Sequence, residues 1–179
     1  MLKKTSAIIL AFLLSIYIVI PCGAAGATIS IGSVEAVPGE TVTVPVSISG
    51  NPGINTFSLG FSYDTNTLTL LDVKLSSNLG GQFAYKKKAV WLNSSDTKYN
   101  GDILYLTFKV SDIAEYGDSS ISVTYAPGDI SNYNEDDVNF AVSPGSVSIG
   151  IDQQTVNTIK TILKRLMEIL RRLLQIFRA

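Results

Sequence analysis

The sequence contains no histidine, only one cysteine (Cys22) and only one tryptophan (Trp91) among its 179 residues. Without histidine, the chain lacks the most common general base and the most common zinc ligand. Cys22 lies in a segment that we expect to be removed, so the mature chain would have no thiol nucleophile, disulfide or cysteine-based metal site. Histidine- and thiol-dependent catalysis is therefore excluded.

The first 27 residues have the pattern of a secretory signal peptide. Two lysines near the start precede an apolar run over residues 7–20, which is short for a membrane span. The small residues at 25–27 predict cleavage before Thr28. Acylation of Cys22 is disfavoured because a proline precedes it, where a lipoprotein site would have a small residue. We therefore expect a secreted protein, extracellular or at the cell surface.

The charges are segregated along the chain. Residues 28–150 carry six lysines and thirteen acidic residues, which leaves a net charge of −7. All four arginines lie in the last fifteen residues. The near-neutral whole chain thus combines an acidic domain (28–150) with a basic tail (151–179). An acidic domain is a poor nucleic-acid binder, so we expect no nucleic-acid partner.

Short runs of alternating apolar and polar residues, separated by turn residues, recur through the acidic domain. No helical pattern lies between them. The spacing predicts an all-β fold with about nine strands in an antiparallel two-sheet sandwich. The nine predicted strands are Thr28–Ile31, Val42–Ile48, Phe57–Tyr63, Leu68–Val73, Val90–Ser94, Leu104–Val110, Ser119–Tyr125, Val138–Val142 and Ser146–Ile149. A further short strand is predicted at Phe83–Tyr85.

The strand around Trp91 has apolar side chains on both faces. By alternation, Trp91 points to one face while Val90 and Leu92 point to the other. If Trp91 fills the core, Val90 and Leu92 form an exposed apolar patch, and such patches usually mark an interaction site. The alternative is that a loop of the same chain covers them.

Four ordered segments together resemble a cohesin domain, with the resemblance extending over residues 28–150: Val34–Val46, Gly53–Val73, Val90–Val110 and Val138–Gly150. It is strongest toward cohesins of anaerobic bacteria that degrade plant fibre or starch. The resemblance implies a nine-stranded jelly-roll β-sandwich without catalytic residues. It also implies binding to dockerin modules of polysaccharide-degrading enzymes or scaffoldins, within a cellulosome or a related complex. Because calcium belongs to the dockerin, the resemblance implies no metal or cofactor here.

Carried over by position, the resemblance also implies a dockerin-binding face. Thr56 and Ser58 stand where the better-known cohesins have an asparagine and an aspartate, and Ser95 stands where an acidic residue is common. The class of partner is thus better defined than its identity. The implied dockerin-binding residues are Thr56, Ser58, Tyr85, Val90, Leu92, Ser94, Ser95, Asp96 and Tyr133.

The tail has a helical period instead of a strand period. Residues 156–178 predict a basic amphipathic α-helix of about 23 residues, ~35 Å long. The heptad seam comprises Val156, Ile159, Leu163, Leu166, Leu170, Leu173 and Phe177, widened by Ile162, Met167, Ile169, Leu174 and Ile176. The opposite face comprises Lys164, Arg165, Glu168, Arg171, Arg172, Gln175 and Arg178.

Three interpretations of this helix are open: binding to an anionic membrane surface, self-association as a coiled coil, and packing onto its own domain. The wide apolar face and the small number of heptads favour the membrane over the coiled coil. Charges every few residues exclude a membrane-spanning helix.

Three other functions can be compared with the composition. A glycosidase needs paired carboxylates across a cleft, but Asp129, Glu135, Asp136 and Asp137 cluster in a loop-like segment, which is more simply a solvated rim. Their spacing also matches no calcium loop. A carbohydrate-binding module would need exposed aromatic residues, for which Tyr99, Tyr116 and Tyr133 are candidates. A surface adhesin oligomerised by the tail is a further alternative.

Overall fold

A computed structural model describes residues 26–151 and 153–177 of the chain. The predicted signal peptide, including Cys22, therefore lies outside the described residues except for positions 26 and 27. Arg178 of the predicted helix lies outside them as well.

The described residues form two β-sheets packed face to face, followed by one helix. The five-stranded sheet has the order β11–β1–β3–β8–β5, and the larger sheet has the order β2–β12–β9–β4–β7–β6, with β10 paired to β4. The strands are β1 (Thr28–Ile31), β2 (Val34–Ala36), β3 (Thr41–Ser49), β4 (Ile54–Tyr63), β5 (Leu68–Leu75), β6 (Gln82–Tyr85), β7 (Ala89–Thr97), β8 (Gly101–Val110), β9 (Gly117–Thr124), β10 (Ile130–Ser131), β11 (Ala141–Ser143) and β12 (Gly145–Ile149).

The core lies between the sheets and is filled by alternate residues of the long strands. On β8, Leu104, Leu106, Phe108 and Val110 are all fully buried, as their spacing predicts. Phe108 meets Tyr63 of β4 edge to face, with ring centroids 5.0 Å apart, and this contact joins the two sheets. Among the described residues, all the buried hydrophobic ones lie between Ile29 and Ile149, so the sandwich encloses its core without the tail.

The predicted β-sandwich is confirmed, with a difference in strand count. Nine of the twelve described strands have four or more residues, while β2, β10 and β11 have only two or three. Two of these short strands pair in parallel, β2 with β12 and β11 with β1, so the sheets are not purely antiparallel. Segments this short carry too little alternation to be recognised in the sequence.

The predicted strand Val138–Val142 is wrong over most of its length, because β11 begins only at Ala141. Val138 and Phe140 are nevertheless buried. Their backbone is satisfied outside a ladder: the Val138 N–H donates to the Ile130 carbonyl at 2.9 Å, and the Phe140 N–H donates to the Tyr125 hydroxyl at 2.8 Å. The alternation therefore reports burial of two side chains rather than a strand.

The predicted helix is confirmed as α1 (Gln153–Ile176), starting three residues before the predicted first residue, Val156. Within the described part of the chain, no helix is long and apolar enough to cross a membrane. Apart from the half-buried Val156, side chains from 154 to 177 are exposed on the apolar and the polar face alike. Packing of the helix onto its own domain, one of the three interpretations, is therefore not what the structure shows.

Candidate functional site

Two rows of outward side chains cross the larger sheet. Thr56 of β4 lies opposite Leu92 of β7, which lies opposite Gln82 of β6, while the second row comprises Ser58, Val90 and Ala84. Because paired residues of adjacent strands share a face, these six side chains form one surface. We call this surface, which comprises Thr56, Ser58, Gln82, Ala84, Val90 and Leu92, the outer patch.

The centre of the outer patch is apolar and open to solvent. Val90 is 44% exposed and Leu92 is 51% exposed, whereas Trp91 between them is 0% exposed. Trp91 stacks on Phe57 with ring centroids 5.2 Å apart and donates its indole N–H to the Gly80 carbonyl at 2.6 Å. The buried indole thus fixes which face of β7 is inward, so Val90 and Leu92 point outward, as the alternation predicts.

The hydroxyl groups of the outer patch are engaged within the domain. Thr56 Oγ1 donates to the Trp91 carbonyl at 2.9 Å across the β4–β7 pair. The Ser58 N–H donates to the Asp129 carbonyl at 2.7 Å, and the Ser58 hydroxyl contributes to the lowered pKa of the Asp129 carboxyl. Both side chains are half-buried. They therefore form a low polar border beside Val90 and Leu92.

The end of β7 departs from regular pairing. Ile54 pairs with Thr97 and Thr56 pairs with Leu92, so residues 93–96 face only Asn55 of β4. Such a bulge turns side chains away from the ladder. Ser94, Ser95 and Asp96 are accordingly exposed at one end of the outer patch.

Asp96 joins this bulge to the loop after β10. Its Oδ1 atom accepts the Tyr133 backbone N–H at 2.7 Å. The loop is closed by Asn132, whose Oδ1 accepts the Asn134 and Asp136 N–H groups at 3.0 and 2.9 Å. Tyr133 is left exposed at the edge. The structure therefore brings Asp96 and Tyr133, which are far apart in sequence, to the same end of the outer patch.

An ion pair lies at the other end of the outer patch. Lys88 Nζ lies 2.7 Å from Asp129 Oδ2, which also accepts the Ala126 N–H at 2.7 Å. The Lys88 contact first, then the Ala126 N–H and the Ser58 hydroxyl, hold the pKa of the Asp129 carboxyl below its usual value. Lys88 thus tethers the β6–β7 turn to the segment that leads into β10.

One predicted site residue lies elsewhere. Tyr85 pairs with Ala89, whose side chain is on the core face of β7, so Tyr85 is on the opposite face from Val90 and Leu92. Partial burial, and then the neighbouring Tyr63, raise the pKa of its phenol. The alternation in β6 instead brings Gln82 and Ala84 to the outer patch. This could have been predicted from the sequence, because an inward Phe83 implies that its two neighbours point outward.

Ser131 extends the first row on the other side of β4, where it pairs with Thr56. No pattern in the sequence points to this residue, because a two-residue strand has no measurable period. The surface thus continues across four strands, β10, β4, β7 and β6.

A family model described as "Cohesin domain" matches residues 27–149. The chain belongs to the cohesin family. The match spans the whole sandwich and ends before α1. Among curated proteins, none matches the chain.

Solved cohesin structures share the fold of this cohesin. CaCohA2 of Clostridium acetobutylicum, in its complex with CaDoc0917, is 25% identical with a TM-score of 0.63, covering 69% of this chain and 99% of that one. The sixth cohesin of Acetivibrio cellulolyticus scaffoldin B, in complex with the Cel5 dockerin, is 23% identical with a TM-score of 0.60, covering 70% and 99%. A non-cellulosomal cohesin of the archaeon Archaeoglobus fulgidus is 23% identical with a TM-score of 0.60, covering 75% and 98%.

Cohesin domains are binding modules rather than enzymes, which agrees with the prediction from sequence. The acidic residues weighed as a glycosidase pair have structural partners instead: Asp129 pairs with Lys88, and Asp137 accepts the Gly128 N–H at 3.1 Å. Across residues 26–151 and 153–177, no group of three or more acidic or cysteine side chains is arranged to hold a metal ion.

The structure offers little for sugar stacking. The only tryptophan is buried, and the exposed tyrosines Tyr116 and Tyr133 belong to separate loops, before β9 and after β10. Tyr99 is only partly exposed, because it packs against the core. These positions give no flat aromatic platform of the kind that a carbohydrate-binding module uses.

Proposed function

We propose that this cohesin binds a dockerin through the outer patch, with Val90 and Leu92 as the apolar contact. The observation that carries the proposal is the half exposure of these two side chains on either side of the fully buried Trp91. An exposed apolar centre on a rigid sheet, surrounded by polar groups, is the usual composition of a protein interface. The complexes of the similar cohesins support a dockerin as the partner.

The small side chains around the apolar centre favour a flat partner surface. Ala84, Thr56 and Ser58 are short, so a helix can approach the sheet closely. We expect such a contact to bury about 1,200–2,000 Å² in total. Because the Thr56 hydroxyl already donates to the Trp91 carbonyl, it can only accept a hydrogen bond from a partner. We therefore expect Val90 and Leu92 to contribute the larger share of the affinity.

The ends of β7 differ in charge, which favours one orientation of the partner. Lysines 86–88 precede the strand, while Asp96 and the acidic residues of the 132–137 loop lie near its end. Complementary charges on a partner would align it along β7 and suppress the reverse orientation. Ser94, Ser95 and Tyr133 lie at the acidic end, where they would contact the partner's rim.

The cellular role follows from the binding role and the sequence pattern. The charged, apolar and small-residue regions of positions 1–27 support secretion. Outside the cell, the domain would recruit dockerin-bearing polysaccharide-degrading enzymes or scaffoldins into a cellulosome-like complex. Calcium would be bound by the dockerin and not by this chain.

The test is a binding screen of the chain starting at Thr28 against dockerins from the same genome, by isothermal titration calorimetry with calcium present. We expect at least one dockerin to bind. Leu92→Ala should weaken that binding by about 1–3 kcal/mol, and Leu92→Asp should weaken it more. Leu71 is a matched control, because it is 57% exposed on β5 of the other sheet, so Leu71→Ala and Leu71→Asp should leave binding unchanged.

The two parts of the proposal fail separately. If no dockerin binds the folded domain, the function is wrong. If a dockerin binds but Leu92→Asp has the same affinity as the parent, the function stands and the outer patch is the wrong surface.

A further inference from the structure

The helix α1 presents an apolar face that no part of the described chain covers. Its nine large apolar side chains from Ile159 to Leu174 are 46–58% exposed. Residues 150–152 connect it to β12, so the sandwich ends directly before the helix begins. The sandwich needs nothing from the helix, because its core closes without it. The apolar face is therefore free to meet another surface.

The two faces of α1 divide the helix almost equally. At about 100° per residue, the apolar side chains occupy a continuous arc of about 180°, from Ile176 around to Met167. A two-stranded coiled coil uses a narrower seam, formed by the a and d positions alone. Here the g positions (Ile162, Ile169 and Ile176) and two of the e positions (Met167 and Leu174) are apolar as well.

Positively charged side chains border the apolar arc on both sides. Residues 153–177 carry five cations and one acid, which leaves a net charge of +4. Lys160 and Arg171 border the arc on the Met167 side, and Arg165 and Arg172 lie on the Ile176 side. Glu168 projects near the middle of the polar arc, 3.3 Å from Arg172. Long cationic side chains at the borders of an apolar face can extend to anionic groups at its edge.

This charge pattern distinguishes between the possible occupants of the apolar face. In a bundle of identical helices, the b and c positions approach one another at the rim of the shared core. Those positions are cationic in the last two heptads, so every added copy would bring like charges together: Lys164, Arg165, Arg171 and Arg172. A surface of lipid headgroups with negative charge instead complements all of them and accepts the whole apolar arc.

We infer that α1 lies in the surface of an anionic lipid membrane, with its apolar arc in the acyl region and its bordering cations at the phosphates. The sandwich has a net charge of −7 over residues 28–150, so an anionic surface repels it and attracts only the tail. The short connection then holds the sandwich close to the membrane. The helix is thus the tether of the domain.

The test uses the chain starting at Thr28, which contains the entire core, so that the predicted signal peptide cannot bind lipid. We expect it to co-sediment with vesicles containing about 30% phosphatidylglycerol and to bind phosphatidylcholine vesicles at least about tenfold more weakly. Changing Lys164, Arg165, Arg171 and Arg172 to glutamine should weaken binding to the anionic vesicles at least about tenfold. Glu168→Gln should not weaken it.

The apolar arc is tested by a matched pair of double variants. Ile159→Asp with Leu166→Asp places two acids in the middle of the arc and should abolish vesicle binding. Ile113→Asp with Leu71→Asp makes the same chemical changes at exposed positions of the sandwich and should leave vesicle binding unchanged. Far-ultraviolet circular dichroism verifies that the sandwich stays folded in both.

Three results would overturn the inference. The first is equal binding of the parent chain to neutral and anionic vesicles, and the second is unchanged vesicle binding by the Ile159→Asp/Leu166→Asp variant. The third is a parent chain that does not bind vesicles but forms a defined oligomer without lipid, while the Ile159→Asp/Leu166→Asp variant is monomeric. The last result would assign the helix to self-association. None of these results bears on dockerin binding, which is tested separately by the Leu92 variants.

Discussion

Replacing Trp91 should destabilise the domain far more than replacing its neighbour Val90. The Trp91 side chain is fully buried, stacks on Phe57 and donates a hydrogen bond to the Gly80 carbonyl. Trp91→Ala removes all three contributions and leaves a large cavity, so we expect a loss of about 3–5 kcal/mol in the free energy of unfolding. Because small domains are stable by only about 5–15 kcal/mol, this variant can fail to fold.

Trp91→Phe keeps the prediction measurable in that case. Phenylalanine retains the stacking on Phe57 but loses the hydrogen bond and part of the volume. The hydrogen bond contributes about 0.5–1.5 kcal/mol, and the lost volume adds to it, so we expect about 1.5–3 kcal/mol in all. Val90→Ala, at the half-exposed neighbouring position, should change the free energy of unfolding by less than about 0.5 kcal/mol.

Urea unfolding followed by circular dichroism measures these differences. With a slope of about 1–3 kcal/mol per molar urea, Trp91→Phe should lower the midpoint by roughly 1 M. The parent chain offers a second readout, because its only tryptophan should give blue-shifted emission that acrylamide quenches poorly. The reasoning would be refuted by Val90→Ala being as destabilising as Trp91→Phe, or by a native emission that is red-shifted and freely quenched.

Two further predictions concern the supports of the outer patch. Asp129→Asn should destabilise the domain by up to about 1 kcal/mol at pH 7, measured by urea unfolding, because it breaks the pair with Lys88. Because the pKa of Asp129 is lower in the folded state than in the unfolded chain, its charged form stabilises the fold at pH values above the unfolded pKa of about 3.9. This stabilisation is lost as the pH falls through the folded-state pKa. The difference in stability between Asp129→Asn and the parent should therefore vanish in acid. Gly81→Ala should destabilise by about 1–3 kcal/mol in the same assay, because Gly81 has φ +99° and an added Cβ would lie 2.5 Å from the Leu92 carbonyl oxygen.

Each of these predictions has a control in the chain. Asp112 is highly exposed and lies 3.7 Å from Lys109, so Asp112→Asn should leave stability nearly unchanged at pH 7. Gly80 has open space where a Cβ would be, so Gly80→Ala should be tolerated. A pH-independent effect of Asp129→Asn, or equal effects at Gly80 and Gly81, would contradict the assigned roles.

Much of the outer patch could be predicted from local alternation. Trp91 inward with Val90 and Leu92 outward follows from the two-residue period of a strand, and the segments that resemble a cohesin predicted the family and the fold. Tyr85, whose contact with a dockerin stays a prediction, shows the limit of this reasoning. Matching a residue to a family position does not show which face of its strand it occupies. The register of β6 with β7 puts Tyr85 on the core face. The same β6–β7 register places Gln82 and Ala84 on the outer face, and the separate β10–β4 pairing adds Ser131.

The sequence by itself determined the elements that depend on neighbours in the chain: the strand periods, the buried alternation of β8, the acidic domain and the amphipathic basic helix. Tertiary structure alone decided which distant residues meet. The Lys88–Asp129 pair, the Asp96 contact with the Tyr133 backbone and the bulge at residues 93–96 all arise from strand pairing and loop closure. The physical reason is that periodicity fixes the direction of a side chain relative to its own strand, whereas its partners depend on the register and order of strands, which no local pattern encodes.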